Sequence, residues 1–217
     1  ATPFAVLEPV LVGGSTVAVA TLHNEDQVRL KDVRPGDTVI VRKAGDVIPE
    51  VVGPVRSERR PGLRRWVFPT SCPVCGTALV RPEGEADHRC PNEACPARVA
   101  GAIEHFVSRG AMDIEGFGEQ RVALFSQLGM LGDVADVYTL DLERVVDLEG
   151  FGQTSVANLA AAIDASRSRP LWRLLVGLNI RHLGGAGAQL LADHFGHLDH
   201  LMDASVEELA AVDGIGP

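Results

Sequence analysis

Features of membrane-spanning and secreted proteins are absent from this sequence of 217 residues. No stretch approaches the roughly 18–20 uninterrupted apolar residues of a membrane span. The first eleven residues lack the basic segment and the following apolar core of a secretion signal. We therefore expect a soluble, cytosolic protein with no membrane partner.

An excess of positive charge is also missing, since the formal net charge is −9. This normally argues against a nucleic-acid partner, because phosphate binding relies heavily on Lys and Arg. The average conceals an asymmetry, however. Residues 1–70 hold ten basic and eight acidic residues, net +2, whereas residues 111–217 hold six and sixteen, net −10. Five arginines near the end of the basic segment form either a solvated loop or a phosphate-facing patch: Arg56, Arg59, Arg60, Arg64 and Arg65.

The first seventy residues are rich in Val and Ile and are interrupted by turn dipeptides such as Pro35-Gly36, a pattern typical of short strands. The predicted strands are Phe4–Val12, Ser15–Leu22, Asp37–Lys43, Val47–Val55 and Arg65–Phe68. Five short strands favour a small barrel such as an OB-fold. Pro49 and Pro54 predict that the fourth strand lies at an edge or carries a bulge, because proline cannot donate to the ladder.

All four cysteines fall in one loop, as Cys72-Pro-Val-Cys75 and Cys90-Pro-Asn-Glu-Ala-Cys95, fourteen residues apart. Two close pairs with this spacing predict a zinc site. Four thiolates close the coordination shell and leave no position for water, so the ion is expected to be structural. The alternatives are two disulfides or free core thiols, which suit a reducing compartment less well. His88 is a weaker candidate for a ligand.

After the cysteine loop the chain is rich in Ala and Leu with helical spacing. One predicted face carries Val99, Ile103, Phe106 and Val107, and another carries Val122, Leu124, Phe125 and Leu128.

A glycine motif recurs along this helical segment. It reads Ile114-Glu-Gly116-Phe-Gly118, Leu148-Glu-Gly150-Phe-Gly152, Arg181-His182-Leu-Gly184 and Val212-Asp-Gly214-Ile-Gly216. The last glycines are spaced 34, 32 and 32 residues apart, which indicates an internal repeat. The motif resembles the helix-hairpin-helix, which holds DNA phosphates through main-chain amides at a helix N-terminus. Such donors are uncharged and would allow an acidic segment to bind DNA. The third copy departs from the pattern at His182, so its phosphate contact is the weakest expectation.

Three further segments complete a family resemblance. They are Ala20-Thr-Leu-His23-Asn24-Glu-Asp, Arg42-Lys43-Ala-Gly45-Asp46-Val-Ile-Pro49-Glu and His105-Phe-Val-Ser-Arg109-Gly-Ala-Met-Asp113-Ile. In this order, with the cysteine loop and the glycine repeats, they resemble bacterial NAD-dependent DNA ligases over essentially the whole chain. The expected fold is multi-domain α and β: an OB-fold β-barrel (1–70), a small four-cysteine zinc finger (71–97) and an all-α helix-hairpin-helix domain (98–217). That last domain is expected to hold about four repeats, the last one truncated.

The resemblance implies a monomeric, DNA-gripping segment that closes on nicked duplex DNA in the bacterial cytosol, associated with the nucleoid. The implied barrel contacts are His23, Asn24, Arg42 and Lys43, with Gly45 and Asp46 shaping the loop. The implied hairpin contacts are Gly116, Gly118, Gly150, Gly152, Gly184, Gly214 and Gly216. His23 and Asn24 equally suit a capped turn after a strand.

The family seals nicks through lysyl-AMP and DNA-adenylate intermediates, using NAD and Mg²⁺. Its nucleophile lies in a Lys-x-Asp-Gly motif, which neither Lys31 nor Lys43 matches. We therefore expect no catalytic residues here, no self-adenylation, and a chain that is one segment of a longer protein. Two alternatives stay open, a non-enzymatic DNA-binding accessory protein and a protein-interaction hub. A metal site at His194, His197 and His200 is disfavoured, because Gly196 interrupts the helix there.

Overall fold

The computed structural model of the chain describes residues 2–44 and 48–216, and it divides between Glu93 and Ala94 into two compact units. All the named strands lie in the first unit, and the second unit is helical. Within the described residues, no helix is both long enough and apolar enough to cross a membrane.

Four strands of the first unit form one curled sheet: β1 (Phe4–Val12), β2 (Ser15–Thr21), β3 (Val39–Ala44) and β4 (Ile48–Pro54). The strand order is β1-β2-β4-β3. Two antiparallel hairpins are joined by a parallel pairing of Thr21 with Glu50. The core on the inner face of the sheet consists of Ala20, Leu22, Val28, Val33 and Val51. The sheet is the half-barrel of an OB-fold, as expected from the strand pattern.

One expectation for the strands is wrong, and a second, that the fourth strand lies at an edge or carries a bulge, is met only by the bulge. Residues 65–68 form no strand, and they are held by side chains, with Trp66 edge-on to Phe68 at a centroid distance of 5.4 Å. The fourth strand lies between β2 and β3 rather than at an edge. Pro49 and Pro54 are tolerated in this strand because it needs few hydrogen bonds to β2. Among the described residues, β2 pairs with β4 only at Glu50. A register shift between Ile40 and Val41 confirms the alternative of a bulge.

A short helix, α1 (Glu25–Lys31), fills the space between the two hairpins and was not foreseen. Asn24 caps its N-terminus, since its Oδ1 accepts a hydrogen bond of 2.9 Å from the Gln27 amide. The helix ends at Asp32, which takes a left-handed conformation with φ 51°. The helix buries Val28 in the barrel core.

An ion-pair network joins the segment between α1 and β3 to the segment after β4. Arg59 donates to both Asp37 oxygens, at 2.9 and 2.8 Å, and to Asp32 Oδ2 at 2.7 Å. The Asp37 side chain is only 1% exposed. Hydrogen bonds from Arg59 are the largest cause of the lowered pKa of both carboxyls. One member of the predicted arginine patch is therefore structural, whereas Arg56, Arg60, Arg64 and Arg65 remain exposed.

The second unit consists of eight described α-helices and a short 3-10 helix (Ala135–Thr139), joined by turns and longer loops. The α-helices are α2 (Pro96–Val107), α3 (Glu119–Gln127), α4 (Leu142–Val146), α5 (Gln153–Ser166), α6 (Leu171–Gly177), α7 (Gly185–Phe195), α8 (Leu198–Asp203) and α9 (Val206–Ala210). Ile103, Phe106, Val122 and Phe125 lie in one core, so both predicted helix faces are buried in large part. Leu128 is an exception at 39% exposed, because α3 ends before it and the chain turns away at Gly129. A second core forms around α6 and α7.

The Arg59 network predicts a large effect of one substitution. Arg59→Ala leaves the buried Asp37 carboxylate without its charge partner, so the unfolding temperature should fall by roughly 5–10 °C. Arg60→Ala removes the same charge from an exposed neighbour and should change it by less than about 2 °C. Equal decreases in the unfolding temperature of the two variants would contradict a structural role for Arg59.

The same network predicts how stability depends on pH. The folded pKa of Asp37 lies below its usual 3.8, so the stabilisation is fully present above the unfolded pKa. It is lost as the pH falls through the folded pKa. Stability below about pH 4 should therefore decline more steeply for the natural chain than for Arg59→Ala, as measured by denaturant titrations at several pH values.

Candidate metal centre and hairpin array

The four cysteine sulfurs converge on one point, with all four Sγ atoms within 4.8 Å of one another. Cys72 and Cys75 lie on a tight turn closed by the Gly76 amide donating to Cys72 O at 2.9 Å, with Gly76 at φ 73°. Cys90 follows a short hairpin in which Val80 and Arg89 exchange two hydrogen bonds of 2.8 Å. Cys95 occupies the N-cap position of α2.

These sulfurs fit a tetrahedral metal ion and not a disulfide. None of the four cysteines is bridged, and Sγ of Cys75 lies 3.5 Å from Sγ of Cys90. A disulfide requires about 2.05 Å. Ligands at about 2.3 Å from a tetrahedral zinc are themselves about 3.8 Å apart. The disulfide alternative is therefore wrong.

The environment of the cluster favours thiolates, the form that binds metal. Thr77 Oγ1 lies 3.3 Å from Cys75 Sγ. Hydrogen bonds from Thr77, first from the side chain and then from the backbone, lower the pKa of the Cys75 thiol to about 6. A thiol with this pKa is largely deprotonated at neutral pH.

His88 is not part of the cluster. Its ring stacks on Phe68 at a centroid distance of 4.2 Å, and its Nε2 lies 3.4 Å from Glu25 Oε2. Arg81 forms an ion pair with Asp26, the next residue of α1. Two side chains of the cysteine loop thus contact the first turn of α1. The role of His88 is to pack the loop against its neighbours, and it does not bind the ion.

The four glycine motifs adopt the same backbone conformation. In each, the first position of the pair lies in the left-handed region, with φ 94° at Gly116, 84° at Gly150, 65° at His182 and 86° at Gly214. In three copies the amide of the next residue donates the hydrogen bond that closes the turn, for example Phe151 N to Leu148 O at 3.1 Å. His182 carries a side chain where glycine adopts this conformation without strain. The repeat predicted from the sequence is therefore a structural repeat.

The second glycine of each of the first three motifs begins a helix. Gly118, Gly152 and Gly184 are the N-cap residues of α3, α5 and α7, with ordinary φ values of −83°, −112° and −84°. Being glycines, these N-cap residues have no side chain to accept from the first-turn amides, although at Gly152 the Ser155 hydroxyl accepts from the Gly152 amide at 3.2 Å. A Cβ built on any of the three would meet nothing within 4 Å. These N-termini are open, and nothing inside the described protein requires glycine at them. Gly216 is the last described residue.

Hairpins one and two are packed against each other. Arg121 Nη1 donates to Gly116 O at 2.9 Å, and the same guanidinium lies over the Phe151 ring, 4.8 Å from its centroid. Phe125 contacts both Phe117 and Phe151, at centroid distances of 6.1 and 5.5 Å. The first two hairpins therefore have a fixed spacing.

The barrel candidates divide into two pairs. Asn24 is occupied as the cap of α1, so the capped-turn interpretation is confirmed for it. Lys43 Nζ lies 3.4 Å from Gly13 O at the surface. His23 and Arg42 converge on the Glu50 carboxylate, with His23 Nε2 2.7 Å from Oε2 and Arg42 Nε 2.5 Å from Oε1. Gly45 and Asp46, the predicted loop-shaping residues, lie outside the described residues.

Glu50 itself was missed as a functional candidate. Hydrogen bonds from His23 and then Arg42 lower the pKa of its carboxyl below the usual 4.5. The available signal was a lone acidic residue, eight positions after Arg42, within a strand otherwise made of apolar residues, Gly and Pro. Arg121 was missed for a similar reason, since its partners come from two different hairpins.

The histidines near the end of the chain do not gather around a metal site. His197 Nδ1 accepts from the Asp199 amide at 3.3 Å and caps α8, and His200 Nδ1 lies 3.1 Å from Phe195 O. In the described part of the chain, only the cysteines form a cluster with metal-ligand spacing.

Comparison with known proteins agrees with this architecture. Residues 1–62 match the NAD-dependent DNA ligase OB-fold domain, residues 71–97 the NAD-dependent DNA ligase C4 zinc finger domain, and residues 173–217 a helix-hairpin-helix motif. The chain is 55% identical over its whole length to a DNA ligase of Roseiflexus sp. (strain RS-1) and 54% identical to one of Chloroflexus aurantiacus. A DNA ligase of Symbiobacterium thermophilum is 53% identical over 218 aligned positions.

The chain belongs to the NAD-dependent DNA ligase family. It spans 30–32% of the length of these relatives. Within this family the four-cysteine cluster is the C4 zinc finger, and its ion is a structural Zn²⁺. Cys72, Cys75, Cys90 and Cys95 would hold the ion, and four thiolates leave it no open position for catalysis.

The zinc finger predicts one tightly bound zinc per chain. Cys90→Ser should reduce the zinc content well below one equivalent and lower the unfolding temperature, because zinc binding contributes folding free energy directly. His88→Ala is the matched control, since it alters a packed neighbour in the same loop and should retain one equivalent. Elemental analysis of dialysed protein measures both. A similar decrease in zinc content in both variants would contradict this ligand set.

Proposed function

We propose that this chain is the DNA-gripping portion of an NAD-dependent DNA ligase, binding nicked duplex DNA without reading its sequence. The proposed boundaries are 1–70 for the OB-fold, 71–97 for the zinc finger and 98–217 for the helix-hairpin-helix domain. The proposed site is the bacterial cytosol, and the proposed state is a monomer. The observation that carries the proposal is the repeated helix N-terminus at Gly118, Gly152 and Gly184, where the N-cap glycine has no side chain to occupy the first-turn amides.

Such N-termini suit phosphate because their amides point outward and the helix dipole favours an anion. Such donors add nothing to the formal charge. This explains how a segment with a net charge of −10 over residues 111–217 would hold DNA. Backbone amides contact phosphates that every sequence shares, so binding of this kind carries no sequence preference.

The barrel contributes cationic side chains, which complement the uncharged amides of the hairpins. Arg42 has 67% of its side chain exposed, and its neighbour Lys43 also ends at the surface. Contacts of these two residues with phosphates would release counterions and make affinity depend on salt. Amide contacts would do so much less, and this difference allows the two parts to be separated by experiment.

Hairpin variants test the amide contacts. Gly118→Leu and Gly152→Leu place side chains in open space at ordinary φ, so the protein should fold, but a phosphate could no longer approach the amides. Together they should weaken binding to a nicked duplex by roughly tenfold or more, since about 1.4 kcal/mol corresponds to a factor of ten. The slope of affinity against salt should change little. Gly101→Leu, an exposed glycine of α2 that is equally open, is the control.

Barrel variants should behave differently. Arg42→Ala with Lys43→Ala should flatten the salt slope by roughly 0.9 for each phosphate that these side chains no longer neutralise. Fluorescence anisotropy at several salt concentrations measures both sets, and circular dichroism checks folding. If folded Gly118 and Gly152 variants bind as the natural chain does, the hairpins are merely turns.

The ligation chemistry is proposed to depend on parts of the ligase beyond these domains. Lys31 Nζ donates to Val51 O at 2.6 Å, Lys43 is half-buried on β3, and neither begins a Lys-x-Asp-Gly motif. Incubation of this chain with labelled NAD should therefore leave it unlabelled. A covalent AMP adduct mapped to Lys31 or Lys43 by mass spectrometry would overturn this part of the proposal.

A further inference from the structure

A row of paired residues crosses the outer face of the barrel sheet. Glu50 on β4 is directly opposite Thr21 on β2 and Arg42 on β3. Thr21 is in turn opposite Phe4 on β1. Directly opposed residues share one face of a sheet and are within reach of each other. The row therefore places one carboxylate beside an arginine, at the point where the two hairpins meet.

The Glu50 carboxylate is nearly buried and has both oxygens engaged. Its side chain is 9% exposed, with Oε1 on Arg42 Nε and Oε2 on His23 Nε2. His23 reaches it because its backbone lies in the left-handed region, at φ 64°. The His23 amide donates to Thr21 Oγ1 at 3.0 Å, which supports this unusual conformation.

The geometry leaves the outer end of Arg42 available. Only Nε contacts Glu50, the side chain is 67% exposed, and the described residues offer the two Nη atoms no partner. A guanidinium is planar, so fixing one edge sets the direction of the other donors. The Glu50 carboxylate thus holds Arg42 at Nε, and the remaining guanidinium donors face the solvent.

We propose that Glu50 is a positioning residue that orients Arg42, and with it His23, toward a phosphate of the bound duplex. The inference rests on the proposed DNA binding and deepens it. Restraining a flexible side chain before binding removes an ordering cost that corresponds to about two- to tenfold in affinity.

A carboxylate near DNA has an opposing effect, because it repels phosphate. At roughly 7 Å through water this repulsion changes affinity by less than about threefold, and salt reduces it further. The two effects have opposite signs. Removing Glu50 weakens binding if orientation dominates and strengthens it if repulsion dominates.

The experiment compares Glu50→Ala with Glu8→Ala by anisotropy on a fluorescent nicked duplex. Glu8 is an exposed acid of β1, so its substitution removes the same formal charge without the two contacts. Glu50→Ala should raise Kd about two- to tenfold and flatten the salt slope, and Glu8→Ala should lower Kd slightly. In an Arg42→Ala background, Glu50→Ala should have little further effect on Kd.

Folding is not expected to interfere. The partners left behind are 43% and 67% exposed, so no buried unpaired charge remains. Thermal unfolding verifies this, and the isosteric Glu50→Gln provides a second variant, with an expected Kd between those of the natural chain and Glu50→Ala.

Three results would overturn the inference: tighter binding by both Glu50 variants, an unchanged Kd in Glu50→Ala, or an equally large effect of Glu50→Ala in the Arg42→Ala background. Failure of the proposed function is distinguishable from these. In that case the natural chain would show no binding to the nicked duplex at low salt, and Arg42→Ala would change nothing. If Arg42→Ala weakens binding and Glu50→Ala does not, the DNA-binding proposal stands and the role of Glu50 is wrong.

Discussion

The fold of the helical unit depends on one backbone conformation that every hairpin repeats. In each hairpin, the residue two positions before the second glycine has a left-handed φ. This conformation reverses the chain direction within one turn, so that Gly118, Gly152 and Gly184 can each begin a new helix. The repeat period, the packing of Phe125 between two hairpins and the open amides all follow from it. His182 shows that the constraint belongs to the position, because the chain takes the conformation there without glycine.

Net charge is a poor guide to anion binding in a protein organised in this way. Many of the acidic side chains near the barrel have structural partners, as Asp32 and Asp37 have in Arg59. The helical unit also contains helix N-termini, whose partial positive charge no residue count includes. Where the charges lie, and what they already contact, matters more than their total.

The sequence predicted well what depends on local spacing. The cysteine pairs predicted the cluster, the glycine repeat predicted where three helices begin, and four strands were placed close to their observed bounds. It predicted poorly what depends on distant partners. Nothing in the local pattern shows that Glu50 meets both His23 and Arg42, or that residues 65–68 exchange ladder bonds for aromatic contacts. The helix α1 was missed because seven residues carry too little periodicity to compete with the neighbouring strands.

The open space around Gly118, Gly152 and Gly184 has a consequence for how this segment would be mapped by mutagenesis. A library screened only for expression or heat resistance would score most substitutions there as harmless, since no neighbour is displaced and no backbone strain is introduced. The same screen would flag Gly116, Gly150 and Gly214, where the left-handed backbone is strained by most side chains. Such a map would therefore mark the first glycine of each pair as important and would miss the second glycine, where the phosphate contact is proposed.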